Sequence, residues 1–168
     1  MLLLRTDILH PNMGIYGAVR ARDETISELY NRIKEWALLA VQQSAYLTSK
    51  AIFSQARESL NSARALKPDW ADHLADRPNE AACSLASRVL DKLEANFLPP
   101  TRLMPSVEGG IALSFVEEER RAEIEVYNTG EVIAATYAGQ CEPVVWALAD
   151  TEHALETTID QIRVHLTA

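Results

Sequence analysis

The sequence has few of the residues that build disulfide frameworks, metal ribbons or phosphate-binding loops. Its 168 residues include only two cysteines, six glycines and seven prolines. Cys83 and Cys141 form no CxxC pair, which excludes a cysteine zinc ribbon and a disulfide-rich scaffold. The sequence also lacks the GxGxxG, P-loop, HExxH and GxSxG motifs of nucleotide-binding and hydrolytic sites. We therefore expect a cytoplasmic protein with reduced thiols and with no catalytic or cofactor site.

The chain also lacks an uninterrupted apolar run of the length that spans a bilayer. The apolar start, Met1–Leu4, is followed by Arg5 and Asp7, so it is too short for a signal peptide. The apolar-rich stretch 37–56 contains Gln42, Gln43, Ser44 and Lys50, which a membrane span would not tolerate. These interruptions predict a soluble protein that does not enter the membrane.

Charge is distributed unevenly along the chain. The formal net charge is −8 and the pI is about 5.0. Residues 108–168 contain twelve acidic and three basic residues, so their net charge is −9, whereas residues 1–107 carry a net charge of +1. Because an acidic surface repels phosphate backbones, the C-terminal part is a poor candidate for nucleic-acid binding.

Period-two alternation between Pro105 and Tyr137 predicts the centre of the fold. Apolar side chains alternate with small or charged ones in two runs, 111–116 and 122–127, as in strands with one buried face and one wet face. Turn residues around Gly130 predict a hairpin to a third strand. Pro143 precedes either a fourth strand or a lead-in to the last helix.

Helical spacing predicts the elements that surround this sheet. Asp23 or Thr25 can cap the first helix, and Thr25 with Glu28 fits a capping box. The helical pattern continues from there toward Leu66, as one helix or as two helices broken near residues 48–49. Pro78 and Asn79 start a helix over 80–97, with Phe97 on its apolar face. Asp150 caps a final helix, and residues 1–22 are interpreted as a possible short strand, 2–8, and a loop. The final helix has the apolar face Leu155, Ile159, Ile162 and Leu166.

These elements indicate an α+β fold with one or two N-terminal helices, a further helix, a three- to four-stranded antiparallel meander and a C-terminal helix. We divide the chain into an N-terminal helical region, 1–67, and a second region, 68–168, that holds the helix, the sheet and the C-terminal helix.

Residues 70–130 carry a pattern of connector, helix and glycine-opened strand. This segment resembles a widespread uncharacterised bacterial protein family, although Phe115 stands where that family has Trp. The resemblance implies an accessory protein, because such relatives often occur near mobile-element, toxin–antitoxin or defence genes. The matching positions are Trp70, Ala82, Leu90, Pro100, Glu108, Gly109, Gly110, Ile111, Ile124, Glu125 and Gly130.

Asp69, Asp72, His73 and Asp76 form the densest cluster of metal-ligating residue types. On a helix they would share one face, where oxygen and imidazole ligands could meet a divalent cation. A polar connector whose acids solvate helix ends explains the same pattern. We therefore expect no bound metal, and keep a metal-dependent hydrolase as the alternative function.

The leading hypothesis is a non-enzymatic subunit that binds another protein, as an accessory or antitoxin-like component of a bacterial system. Tyr30 and Trp36 on the first helix, with Glu123, Glu125 and Tyr127 on the sheet, are the predicted interaction residues. The partner is a protein, such as the product of a neighbouring gene, or a second copy bound through the N-terminal helices.

A small DNA-binding regulator is a further alternative, since basic residues lie near the start of the first helix. The basic residues are Arg20, Arg22, Arg32 and Lys34.

Overall fold

The computed structural model describes residues 14–68, 70, 76–139, 141–149 and 152–168, with side chains from residue 26 onward. The predicted strand over 2–8 and the predicted cap at Asp150 lie outside these residues. The described residues form three helices and five strands, which confirm the α+β class. The helices are α1 (Gly14–Arg64), α2 (Glu80–Ala95) and α3 (Glu152–Thr167). The strands are β1 (Arg102–Ser106), β2 (Gly110–Glu117), β3 (Arg120–Tyr127), β4 (Val132–Ala138) and β5 (Val144–Ala147).

The long N-terminal helix is one helix rather than two. It begins at Gly14, so the start predicted at Asp23 or Thr25 is wrong, as is the loop predicted over the part 14–22, because all of these residues lie within the helix. No break occurs at residues 48–49, where small polar side chains interrupt the apolar pattern but not the backbone hydrogen bonding. The Ala-rich composition of this region favours such continuity.

The chain divides into two compact units, Met1–Tyr46 and Leu47–Ala168. The second unit contains the C-terminal part of α1, the whole sheet, α2 and α3. The boundary predicted between residues 67 and 68 concerns domains, which contact density alone does not define, so it stays a prediction.

The sheet is an antiparallel meander with the strand order β1-β2-β3-β4-β5. β3 is the central strand, and its residue Ile124 pairs with Leu113 of β2 and with Ala134 of β4. β1 is one strand more than predicted, in a segment for which the sequence predicted no strand. Pro105 fits there because β1 is an edge strand, where a missing N–H is tolerated.

The core lies between one face of the sheet and the helices. Phe53, Ala56, Leu60 and Ala63 of α1 are buried at helical spacing. α2 buries a stripe that includes Val89, and α3 buries Ile159 and Ile162 as predicted. The predicted core position of Phe97 is wrong. It has φ 52° and is 70% exposed, because α2 ends at Ala95 before the chain turns away.

Asn79 caps α2 as predicted, and its side chain accepts a hydrogen bond from the backbone N–H of Ala82 at 2.8 Å. Asn128, in the turn between β3 and β4, holds this cap in place. Its Oδ1 accepts from the Asn79 backbone N–H at 2.7 Å, and its Nδ2 donates to the Arg77 carbonyl at 2.9 Å. The tight turn thereby fixes the start of α2 relative to the central strand.

Candidate functional site

The first candidate site is the assembly segment, which we define as residues 26–46 of α1. Every residue of this segment is exposed in the single chain. Trp36 is 73% exposed, and Tyr30 is 58% exposed. Both predicted interaction residues of the helix are therefore accessible, but their role in binding is not tested by their exposure. The large exposed apolar residues are Ile26, Leu29, Tyr30, Ile33, Trp36, Leu38, Leu39, Val41 and Tyr46.

The charged residues of the assembly segment are few, and their charges balance. It carries two acids, Glu28 and Glu35, and two bases, Arg32 and Lys34. The Lys34 ammonium lies 4.8 Å from the centre of the Tyr30 ring one turn earlier, so this cation already has a partner on its own helix. No charged residue follows between Trp36 and Tyr46. The C-terminal half of the segment thus offers only apolar, small and amide side chains.

The second candidate site is the outer face of the sheet, opposite the helices. Glu123 and Glu125 lie on β3, the central strand, and both are half-buried. Glu123 faces Ser114 of β2 across the ladder, and Glu125 faces Ala112. Because β3 has a neighbour on each side, these glutamates do not protect a free sheet edge. The expectation of a fully wet face is also wrong, since neighbouring strands shield both carboxylates.

Hydroxyl groups from three strands surround this carboxylate pair. The Tyr127 hydroxyl donates to Glu125 Oε2 at 2.7 Å, and the Ser106 hydroxyl of β1 donates to Glu125 Oε1. The Ser114 hydroxyl donates to Glu123 Oε1 at 3.4 Å. Sequence reasoning found the acids and Tyr127 but missed Ser106, because β1 was not recognised. The period-two alternation of β2 was the signal that could have placed Ser114 on this face.

The surroundings raise the pKa of three groups near this face, Glu123, Tyr127 and Tyr137. Burial raises the pKa of the Glu123 carboxyl, and the negative charge of Glu125 adds to this rise. The hydrogen bond to Glu125 raises the pKa of the Tyr127 hydroxyl, and burial raises that of Tyr137. The cluster can accept hydrogen bonds and positive charge. The Tyr127 and Ser106 hydroxyls, which could donate, already donate to Glu125.

The metal-ligating cluster lies mostly outside the described residues. Asp69, Asp72 and His73 fall in the undescribed stretch, and Asp76 is exposed beside Gly109. Among the residues that the structure describes, no group of three or more His, Cys, Asp or Glu side chains could hold a metal ion. The metal site therefore stays a hypothesis.

The acids of α3 have structural partners. Lys92 of α2 forms ion pairs with Glu152 and with Glu156, the latter at 3.4 Å. Asp160 pairs with Arg163 one turn later at 3.2 Å. These contacts join α3 to α2 and to itself, and they leave His153 exposed at the helix surface without one of these acids as a described partner.

The two cysteines occupy opposite environments. Both thiols are free, with Cys83 buried within α2 and Cys141 exposed before β5. Burial raises the pKa of the Cys83 thiol. His165 Nε2 lies 3.0 Å from the Tyr137 carbonyl oxygen, so its ring is held against the backbone of β4. In the described part of the chain these contacts bring together no cysteine–histidine pair.

A groove of about 490 Å³ lies between α2, the start of β4 and the start of α3. Val89, Val132 and Leu155 contribute apolar surface to it, and Lys92 and Glu152 at its side are paired with each other. Its described lining presents apolar surface together with Arg88, Asp91 and the Lys92–Glu152 ion pair, rather than a nucleophile beside a base.

Comparison with known proteins identifies no relative, because no protein-family profile, curated protein or solved structure matches this chain. Among the helices that the structure describes, none combines the length and the apolar character that crossing a membrane requires.

Proposed function

We propose that this protein is a non-enzymatic protein-interaction subunit that assembles through residues 26–46 of α1. The observation that carries the proposal is the contrast within one helix. Phe53 is 1% exposed and Leu60 is 3% exposed, whereas Ile33 and Trp36 are 57% and 73% exposed. A helix normally buries its apolar stripe against other elements, whereas the described side chains of this segment are exposed in the single chain.

Burial of the exposed apolar side chains would release a large free energy. Burying one large apolar side chain contributes about 1.5–3 kcal/mol. Burying even half of the nine exposed residues would exceed about 6 kcal/mol before the cost of association, which is about 4–15 kcal/mol. Most helical stability in proteins comes from packing of an apolar face rather than from propensity. A partner would therefore stabilise the helix as well as cover it.

The outer face of the sheet supports a second contact with a basic partner. Glu123 and Glu125 lie in the part of the chain that carries a charge of −9. A positively charged side chain placed over them would relieve the repulsion between two half-buried carboxylates. Electrostatic complementarity of this kind contributes mainly to the association rate and to specificity.

We further propose a cytoplasmic accessory or antitoxin-like role in a bacterial defence or mobile-element system. This setting rests on the resemblance of residues 70–130 to the uncharacterised family, and on the two free cysteines. The partner would then be the product of a neighbouring gene or a second copy of the chain.

Photo-crosslinking in the cells that encode the protein tests the interaction role. A benzoylphenylalanine replaces Trp36 in one variant and Asn31, on the opposite side of the helix, in the matched control. We expect protein adducts from residue 36 and far fewer from residue 31. Equal adduct yields, or none from residue 36, would refute assembly through this segment.

A further inference from the structure

We infer that a second copy of this chain covers the assembly segment, as two α1 helices paired along one apolar stripe. This inference rests on the proposed function and names its partner. Residues 26–46 contain three repeats of seven, which is the shortest length at which a two-stranded helical seam is normally sustained.

The apolar residues follow the seven-residue repeat of a self-pairing helix. Ile26, Ile33 and Ala40 recur at intervals of seven, and Leu29 and Trp36 lie three residues after the first two of them. This is the a and d spacing of a coiled coil. Only the third d position, Gln43, is polar. The stripe is therefore continuous over its first two repeats and ends in smaller side chains.

The charges lie where self-pairing tolerates them. Glu28, Lys34 and Glu35 occupy positions outside the a and d stripe, and Arg32 flanks it. The segment carries no net charge, although the whole chain carries −8. Two copies therefore meet without like-charge repulsion at this surface. A partner selected by charge would instead find two acids and two bases that cancel.

The available area matches a moderate homodimer. Full burial of a large apolar side chain removes about 60–120 Å² from water. If six such side chains on or beside the stripe of each copy are buried, the two copies together bury roughly 700–1,400 Å². A specific interface needs about 1,000 Å². The dimer should therefore dissociate on dilution. The six are Ile26, Leu29, Tyr30, Ile33, Trp36 and Leu39.

Sedimentation velocity of the full-length chain over about a hundredfold range of concentration tests this inference. We expect a monomer at the lowest concentration and a mass of two chains at the highest. Ile33→Glu, which places a charge in the stripe, should weaken dimerisation by at least about tenfold. Asn31→Glu adds the same charge on the opposite side and should leave dimerisation unchanged.

Two further readouts keep the outcomes distinct. Far-ultraviolet circular dichroism at high concentration shows whether each variant retains a folded second unit. If the wild-type chain stays monomeric at every concentration, the inference of a homodimer is wrong. It is also wrong if Ile33→Glu and Asn31→Glu weaken dimerisation equally. If that monomer still gives adducts with a different protein from residue 36, the interaction role stands without self-pairing. If it gives no adduct, both proposals fail.

Discussion

Asn128 in the β3–β4 turn and Asn79 at the start of α2 bind each other through two hydrogen bonds. The Asn79 backbone N–H donates to Asn128 Oδ1 at 2.7 Å, and Asn79 Nδ2 donates to the Asn128 carbonyl at 2.9 Å. The two residues are 49 positions apart, so this contact closes a long loop between helix and sheet. It positions the N-cap that also binds the Ala82 N–H.

We expect Asn128→Ala to lower the free energy of unfolding by about 1–3 kcal/mol, because the Asn79 N–H and the Arg77 carbonyl both lose their partner. Asn128→Asp keeps the acceptor and removes only the donor, so it should cost less. Urea denaturation measures both values. Thr129→Ala, at an exposed position of the same turn, is the control, and an equal loss in the control would contradict the proposed clamp.

Gly110 should tolerate alanine far less well than Gly130, although both have positive φ. A Cβ at Gly110 would lie 2.1 Å from the Val126 carbonyl oxygen, whereas one at Gly130 would meet nothing within 4 Å. Gly130→Ala should therefore cost only the backbone strain of about 1–2 kcal/mol. Gly110→Ala adds a clash with the central strand and should cost several times more, or prevent folding. Comparable unfolding midpoints for the two variants would show that the strand pair can open at no cost.

Glu123→Gln should stabilise the protein at neutral pH and lose this advantage in acid. The pKa of the Glu123 carboxyl is raised above the ordinary 4.5 in the folded state. Between pH 4.5 and the raised pKa, the folded state therefore binds more protons than the unfolded state. Folding stability therefore falls as pH rises from 4.5 through the raised value, and removing the charge reverses that loss.

Urea titrations at several pH values between acid and neutral compare the two proteins. Ser114→Ala provides the opposite case, because it removes the hydrogen bond that favours the charged carboxylate. It should destabilise the protein more at neutral pH than in acid. A stability difference for Glu123→Gln that does not vary with pH would contradict the assigned shift.

Thr158→Val should destabilise the contact between α3 and β5. The indole N–H of Trp146 donates to the Thr158 hydroxyl at 3.1 Å, and Thr158 is 2% exposed. Valine keeps the shape and leaves the indole donor unpaired, at a cost of about 1–3 kcal/mol. Thr158→Ser retains the hydroxyl and loses one methyl group. If Thr158→Ser proves the more destabilising of the two, the methyl group matters more than the hydrogen bond.

The sequence predicted most of the second unit because its signals are local and strong. Alternation fixed β2 and β3, turn residues fixed the hairpin at Gly130, and Asn79 marked the start of α2 correctly. These features depend on neighbouring residues in the chain. A meander also requires only that consecutive strands pair, so its topology followed from the elements themselves.

The errors arose where the outcome depends on distant contacts. Phe97 continues the apolar spacing of α2, but its backbone has already left the helix. β1 contains Pro105, and only its place at the sheet edge makes this acceptable. The half-burial of Glu123 depends on the flanking strands β2 and β4, which the sequence of β3 does not specify.

Each of the two candidate interaction surfaces was also only partly predictable from the sequence. The apolar spacing of residues 26–46 was visible in the sequence, and the structure adds that these residues are exposed in the single chain. The carboxylate pair was also visible, but the hydrogen bonds from Ser106 and Ser114 require the strand register. The inferred partner, a second copy of this chain, rests on the seven-residue spacing and the balanced charges of residues 26–46.

The opposite placement of the two thiols gives this protein a built-in reporter of its own opening. A maleimide added to the native chain should modify Cys141 at once, since its sulfur is accessible. Cys83 should react only in molecules whose α2 has separated from the sheet, and its raised pKa slows the reaction further. The rate at which Cys83 is modified therefore measures how often α2 opens, without any engineered label.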